Sequence, residues 1–381
     1  MTALQWHQVH AWRLSQHGLS PRFSLQDFVG SVTRTAGIQA QVMSAAELAV
    51  CTRVEGLSPH DVKAALFQDH TLVRTWAMRG TLHLLAASEL PLYVAARDWQ
   101  LTASWSNYFA EFGLSRAQQE AFLLAIPYVL EQGPMTRLQL ADAVAKHTGA
   151  ARVRDLILSE SWGSPLKPSA YRGDLCFGPG QGKTVTFMNP RGWIGKWQPI
   201  QPKLALQEIA RRYLQAYGPA TADDFAFWWG CGKTLAKKLF RSIAEELEEV
   251  EVEGWRAFAL RATLPLIQSV EPAEQIHLLP LFDVYTIGAP PRGCEPLLAP
   301  AYKRQVFNPQ GWTFAVVLVN GSIQGVWHSQ IRRAQIVIKV NLFSSSTTAI
   351  RKGIEAEAER LSHLFEKEVL LEYEHPSSSR L

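Results

Sequence analysis

The chain is poor in the residues that build covalent or metallic scaffolds. Its 381 residues include four cysteines, Cys51, Cys176, Cys231 and Cys294, widely scattered and with no Cys-x-x-Cys pair. That spacing argues against a disulfide frame and against a thiolate zinc site. Eleven histidines contain no His-x-x-x-His pair and no carboxylate-flanked pair at ligand spacing, so no metal is expected. The Gly-x-Ser-x-Gly elbow of serine hydrolases is missing. No apolar run approaches the roughly eighteen residues that a membrane helix needs. Met1 to His7 lack the charged and apolar regions of a secretion signal. Charged residues make up 19% of the chain against 47% hydrophobic, which describes a folded protein rather than a disordered one. The expectation is a cytoplasmic monomer of roughly two to four domains. Its net charge of +4 and pI near 8.8 permit nucleic-acid binding without requiring it.

What is present reads as repeated short helices followed by hairpins. In the first stretch, Ser24 to Thr35 and Ser44 to Glu55 are helical, and Gly56-Leu57-Ser58-Pro59 opens a third helix ending near Gln68. Val73 to Leu85 then suits two strands turning at Arg79-Gly80. The order recurs: helices from Ser115, Arg137 and Arg152 precede strands on either side of Gly178 to Gly182. It recurs again as Leu204 to Tyr217, Ala222 to Trp229 and Lys233 to Leu247, followed by a hairpin around Gly254. A Gly-Pro-x-Thr cap stands before a helix at Gly133 and again at Gly218, an internal echo. Three helices and a hairpin are the winged-helix order. After residue 275 the composition turns to Pro-rich loop and strand, with the best hairpin signal at Asn320-Gly321 and one charged helix from Thr347 to Phe365. The fold class is α+β.

Two Gly-Lys-Thr triplets invite a nucleotide reading and do not sustain it. The first glycine of a phosphate loop would fall at Phe177 for the 180–184 segment and at Phe227 for 230–234. The first triplet runs into the strand-like Val185 to Met188, where such a loop needs a helix. No nucleotide cofactor is expected. Lys183 and Lys233 are better read as phosphate contacts from a wing tip and a helix start.

The most telling local feature is Gln39-Ala40-Gln41, two neutral amides just ahead of a helix. If the approach is extended, their side chains point the same way and offer paired donors and acceptors to one water or sugar oxygen. The bland alternative is that they satisfy backbone groups at a helix start. Further on come Thr75-Trp76-x-x-Arg79-Gly80-Thr81-x-His83 and Leu278-Leu279-Pro280-x-Phe282-Asp283-x-Tyr285. Arg79 and His83 form either a wing turn with a satisfied core histidine or the border of a nucleotide pocket. An acid and a phenol at 283 and 285 either anchor a loop or line a site.

In their order, these motifs resemble the AlkZ-like DNA glycosylases, a tandem winged-helix group that also includes the YcaQ-like enzymes. The likeness runs from about residue 5 to about 375. Gln41, where the YcaQ-like branch is expected to carry Asp, favours the AlkZ-like branch. The resemblance implies three tandem winged-helix domains (1–112, 113–198, 199–272) in a C-shaped arrangement, followed by a β-rich domain (273–381). It implies a partner, double-stranded DNA bearing alkylated bases, and no cofactor. Gln39 and Gln41 would be catalytic; Arg79, Thr81, His83, Asp283, Tyr285, Asn320, Lys183 and Lys233 would border DNA or the pocket, with the Asn320-Gly321 hairpin as a probe into the duplex. An N7-alkylated guanine is cationic and leaves easily, so a strong acid is unnecessary. Orienting a water and stabilising an oxocarbenium-like sugar suffices, and that suits two amides. The rival reading is a winged-helix regulator with no catalysis, since fold alone does not fix function.

Overall fold

Short polar side chains fix where several helices start. Ser115 accepts from the Gln118 amide at 3.3 Å while Gln118 reaches back to Ser115, opening Arg116–Leu130. The two Gly-Pro-x-Thr segments use one device twice. Thr136 opens Arg137–Thr148 and Thr221 opens Ala222–Trp229, each with a reciprocal bond to the residue three positions on. Ser58 and Asp61 form a similar pair ahead of Pro59–Phe67.

The computed structural model describes residues 2–98, 104–159, 163–194, 197–271, 274–289, 296–333 and 335–374. Cys294 and the Pro290 to Gly293 stretch of the expected loop lie outside them. The chain divides into two compact units, one made of 1–62 with 210–381 and the other of 63–209. This division does not coincide with boundaries at 112, 198 and 272. The helices Phe28–Arg34 and Met43–Arg53 fall in the first unit, whereas the hairpin Leu72–Trp76 and Leu82–Ala86 falls in the second.

In the first unit, Thr2–Leu4 lies parallel to Leu247–Val252, which pairs antiparallel with Trp255–Leu260. Leu4, Val9 and Trp12 join Val250, Val252, Ala257 and Ala259 in one core. Val9 and Trp12 lie on Trp6–Gln16, a helix with no clear signal in the sequence, because His10 and Arg13 are buried on it beside the apolar residues. The Lys233–Ser242 helix stops short of Leu247, which starts a strand instead.

A five-stranded sheet completes the unit: Ile276–Leu279, Val316–Val319, Ser322–Ile331, Gln335–Leu342 and Glu368–Tyr373. Successive pairs are antiparallel except the last, which is parallel and therefore needs a crossover, supplied by Thr348–Phe365. Alternation sorts the side chains into two cores. Leu278, Val317, Ile336, Ile338 and Val340 meet Ile354, Ala358 and Leu361 of that helix, while Leu279, Val316, Leu318 and Ile323 meet Leu14 and Leu19. Leu48 of Met43–Arg53 enters the former, so the helix that follows Gln41 is seated on this sheet.

The second unit holds the helices Leu90–Asp98, Ser104–Glu111, Arg116–Leu130, Arg137–Thr148 and Ala151–Ser159, the first two unforeseen. Its hairpins are 72–86 and Cys176–Gln181 with Thr184–Met188. The Trp76 and Phe187 rings lie 5.0 Å and 5.1 Å from Phe177. Among the described residues no helix is long and apolar enough to cross a membrane.

Candidate active site

The strand Ile38–Gln39 is followed by a bend at Gln41 and Val42, and Met43–Arg53 starts from Val42 as an N-cap without a side-chain bond. The pleat therefore covers Gln39 and not Gln41, so strand alternation alone does not set their common direction. Gln39 is 6% exposed and Gln41 half-buried. Gln39 is thus largely shielded from water, and Gln41 keeps part of its surface. The low dielectric around Gln39 also strengthens each dipole it offers.

The other end of that helix is ionic. The Arg53 guanidinium meets Asp283 through two bonds of 2.8 Å, and both side chains are fully buried. Asp283 also accepts from the Tyr285 amide at 2.9 Å, and the Tyr285 hydroxyl donates to the Gly321 carbonyl at 3.1 Å. Asp283 and Tyr285 are thus loop anchors. Both side chains lie in packed protein, where water does not reach them.

Asn320 is exposed at its turn and tied to Gln275 ahead of the neighbouring strand. Its Oδ1 accepts from the Gln275 amide at 2.8 Å and its own amide donates to the Gln275 carbonyl at 2.8 Å. Gly321 is buried, and a Cβ there would stand 2.5 Å from the His10 Cβ. The turn is therefore anchored at Gly321 and Gln275, with Asn320 exposed. Gly321 has φ +84, so Gly321→Ala adds both overlap and left-handed strain. A destabilisation of about 2–4 kcal/mol is expected, read by thermal or denaturant unfolding; an unchanged midpoint contradicts this packing.

In the second unit, Arg79, Thr81 and His83 do come together. Arg79 and Gly80 both take positive φ, and the turn closes through Thr81 N to the Met78 carbonyl at 3.1 Å. His83 is 1% exposed, and its Nδ1 donates to the Thr81 carbonyl at 3.0 Å, which leaves Nε2 as an acceptor. Burial first, and then the Arg79 charge, push His83 down to about 3, so it is neutral at physiological pH. Arg79 and Thr81 are half-buried on the turn. His83 is a satisfied core histidine; the two residues before it keep surface.

Lys183 is exposed in the turn before Thr184–Met188, a strand, which removes the last reason to read a phosphate loop there. Lys233 begins Lys233–Ser242 between two helices and is bonded to Asp223 at 2.8 Å. That carboxylate offsets its charge. Lys237, Lys238 and Arg241 are exposed further along the same helix. If they meet phosphates, changing all three to Gln should reduce the slope of log affinity against log salt by about three. An unaltered slope in a salt titration of duplex binding would remove this helix from the interface.

The DNA glycosylase AlkZ-like family matches residues 32–364, a span that takes in the amide turn, the 75–83 hairpin and the Asp283 loop. The chain belongs to that family. The interstrand DNA cross-link repair glycosylase of Streptomyces sahachiroi is 36% identical over 333 residues, 84% of this chain and 87% of that protein. The solved structure of Streptomyces sahachiroi DNA glycosylase AlkZ matches with a TM-score of 0.84 at 33% identity, over 98% of this chain and 100% of that one. In this AlkZ-like chain, the partners of the motif residues went unseen in the sequence. Arg53 gave no signal, because its carboxylate lies 230 positions away. The same is true of Arg22, Glu357 and Arg360, which gather around the helix end.

Proposed function

We propose that this chain is a monofunctional DNA glycosylase that hydrolyses the N-glycosidic bond of alkylated purines, N7-alkylguanine foremost, and leaves an abasic site. The observation that carries the reading is the near full-length likeness to a glycosylase, with Gln39-Ala40-Gln41 inside the matched span at the head of a helix. The chemistry agrees. A cationic N7-alkylguanine departs without a proton, so the protein need only hold a water at the anomeric carbon and face the developing sugar cation with carbonyl dipoles. Gln39 and Gln41 supply both. Target nucleotides are reached by extrusion from the stack, which brings the sugar to side chains that a paired duplex does not touch. The relative's name points to interstrand crosslinks as further substrates, and bulky adducts are included in this reading. The helices and hairpins are read as three winged-helix modules, 1–112, 113–198 and 199–272, with a β-rich module at 273–381, acting as a monomer on duplex DNA without metal or nucleotide, in the cytoplasm or on the nucleoid. Arg79, Thr81, Lys183 and Lys233 contact the DNA backbone in this reading.

The test is direct. The protein is incubated with a duplex carrying 7-methylguanine, and the DNA is then heated in alkali so that abasic sites appear as breaks. Breaks at the lesion, absent without protein, are the expected result. A regulator would leave the duplex whole and bind one undamaged sequence far better than others, and that outcome ends the proposal.

A further inference from the structure

The C-terminal end of the Met43–Arg53 helix is held by a cluster of charged side chains. Helix ends leave their last carbonyls without intrahelical partners. Here the Cys51 carbonyl takes Arg360 at 3.2 Å, the Thr52 carbonyl takes Arg22 at 3.0 Å, and the Arg53 carbonyl takes the Phe23 amide at 2.8 Å. Arg53 itself donates to the Ala49 carbonyl at 2.8 Å while gripping Asp283. Cations at this end also match the helix dipole. Glu357, itself 6% exposed, bonds Arg22 and meets Arg360 at 3.3 Å. Burial pushes its carboxyl up, and the charges of Arg360 and Arg22 more than reverse that, so it stays ionised.

The loop that presents Asp283 is equally fixed. The Leu279 carbonyl accepts from the Trp327 indole at 2.9 Å, and the Phe282 amide donates to the Thr313 carbonyl at 3.1 Å. Phe282 has φ +57, a left-handed conformation that a bulky residue adopts only where its surroundings impose it. Strain is thus accepted at the residue next to Asp283. At the opposite end of the helix, Val42 provides no side-chain cap.

We infer that Asp283 and Arg53 are positioning residues for the Gln39–Gln41 turn, with Arg22, Arg360 and Glu357 completing the clamp. The inference rests on the function proposed above. An eleven-residue helix is a stiff rod of about 16 Å, so fixing its end and its rotation fixes where its head lies. Leu48 packs the helix against the sheet and every residue from Ala45 to Arg53 is buried, but apolar contact has no direction of its own. A two-pronged guanidinium–carboxylate pair has one geometry. For amides that must hold a water at the anomeric carbon, a displacement of about 1 Å lowers the rate by about a hundredfold.

The test separates positioning from stability. Asp283→Asn leaves a buried guanidinium without its counter-charge and should lower both the melting temperature and excision. The double variant Arg53→Met/Asp283→Leu replaces the pair by apolar groups, which often restores stability. It should regain most of the melting temperature, and its affinity for 7-methylguanine duplex should be unchanged. Its single-turnover excision at saturating protein should stay at least about tenfold below wild type. Val250→Ala, in the core around Thr2–Leu4, is the control: it should lose stability and keep its excision rate. Wild-type excision by the folded double variant overturns the inference, as does equal slowing in Val250→Ala. Should the double variant not fold, Arg53→Lys and Asp283→Glu keep the charges and lose the paired geometry. They should show the same split, and full activity in both overturns the inference. Normal clamp variants beside inactive Gln39→Ala and Gln41→Ala sink the clamp alone. A wild-type protein that leaves the lesion in place sinks the functional reading and this inference with it.

Discussion

Gln39→Ala/Gln41→Ala is expected to excise 7-methylguanine at least about a hundredfold more slowly than wild type in single turnover, a loss typical of removing aligned dipoles from a reacting centre. Duplex affinity should stay close to wild type, because the amides meet the sugar and the water rather than the phosphates. The two single variants should differ. Gln39 is the more buried of the pair, and a dipole in low dielectric is worth more than one shared with solvent, so Gln39→Ala should be the slower. A substrate less ready to leave, such as an uncharged purine, should show little excision even with both amides present, since neither is an acid. Single-turnover kinetics on lesion and undamaged duplexes decide all of these points. Excision by the double variant at the wild-type rate removes the amides from the mechanism.

Acidification supplies the second large effect. Burial, with the Arg13 charge, pushes His10 down to about 3, and burial pushes His277 down to about 4 despite Glu357 nearby. Burial and Arg53 hold His17 well below the usual imidazole value, and His83 in the second unit sits at about 3. Unfolded, each titrates near the ordinary value of about 6.5. Between these limits the unfolded chain binds more protons than the folded one. Stability is therefore complete above about pH 6.5 and falls as the pH drops toward the folded values. Each imidazole that stays neutral in the fold contributes a slope of at most about 1.4 kcal/mol per pH unit, and in the first unit His10, His17 and His277 act in the same direction. Melting curves taken between about pH 7.5 and pH 5 should shift steeply downward. A melting temperature flat across that range would show that these side chains remain accessible to protons.

Much of the local architecture was legible in the sequence because it depends on near neighbours. The Gly-Pro-x-Thr caps, the Ser115 capping box and the turn at Arg79-Gly80 all stand where their residues place them. So does Ala222–Trp229, bounded by a threonine and a glycine. The helix Trp6–Gln16 was hidden because burying His10 and Arg13 beside Val9 and Trp12 blurs its apolar stripe. Asn320-Gly321 is legible as a turn, whereas the packing of Gly321 against His10 is not. Turn chemistry states that a chain reverses; it does not state what packs against the reversal. In the candidate site, the amide pair drew notice by residue type alone, whereas its burial and the bend at Gln41 did not follow from spacing.

By itself the sequence determined the caps, turns and strand alternation, the absence of thiolate or imidazole ligand patterns, and the motif order that resembles one family. Those properties live within a few residues of one another, where sterics and short hydrogen bonds act. Only the tertiary structure decided that Asp283 meets Arg53, that Tyr285 and Gly321 are sealed together, and that Thr2–Leu4 joins the 247–260 hairpin. A buried charge must find its counter-charge somewhere, because leaving it alone in low dielectric is prohibitive. Which distant carboxylate answers a given guanidinium is fixed by how the cores close, and no local pattern records that.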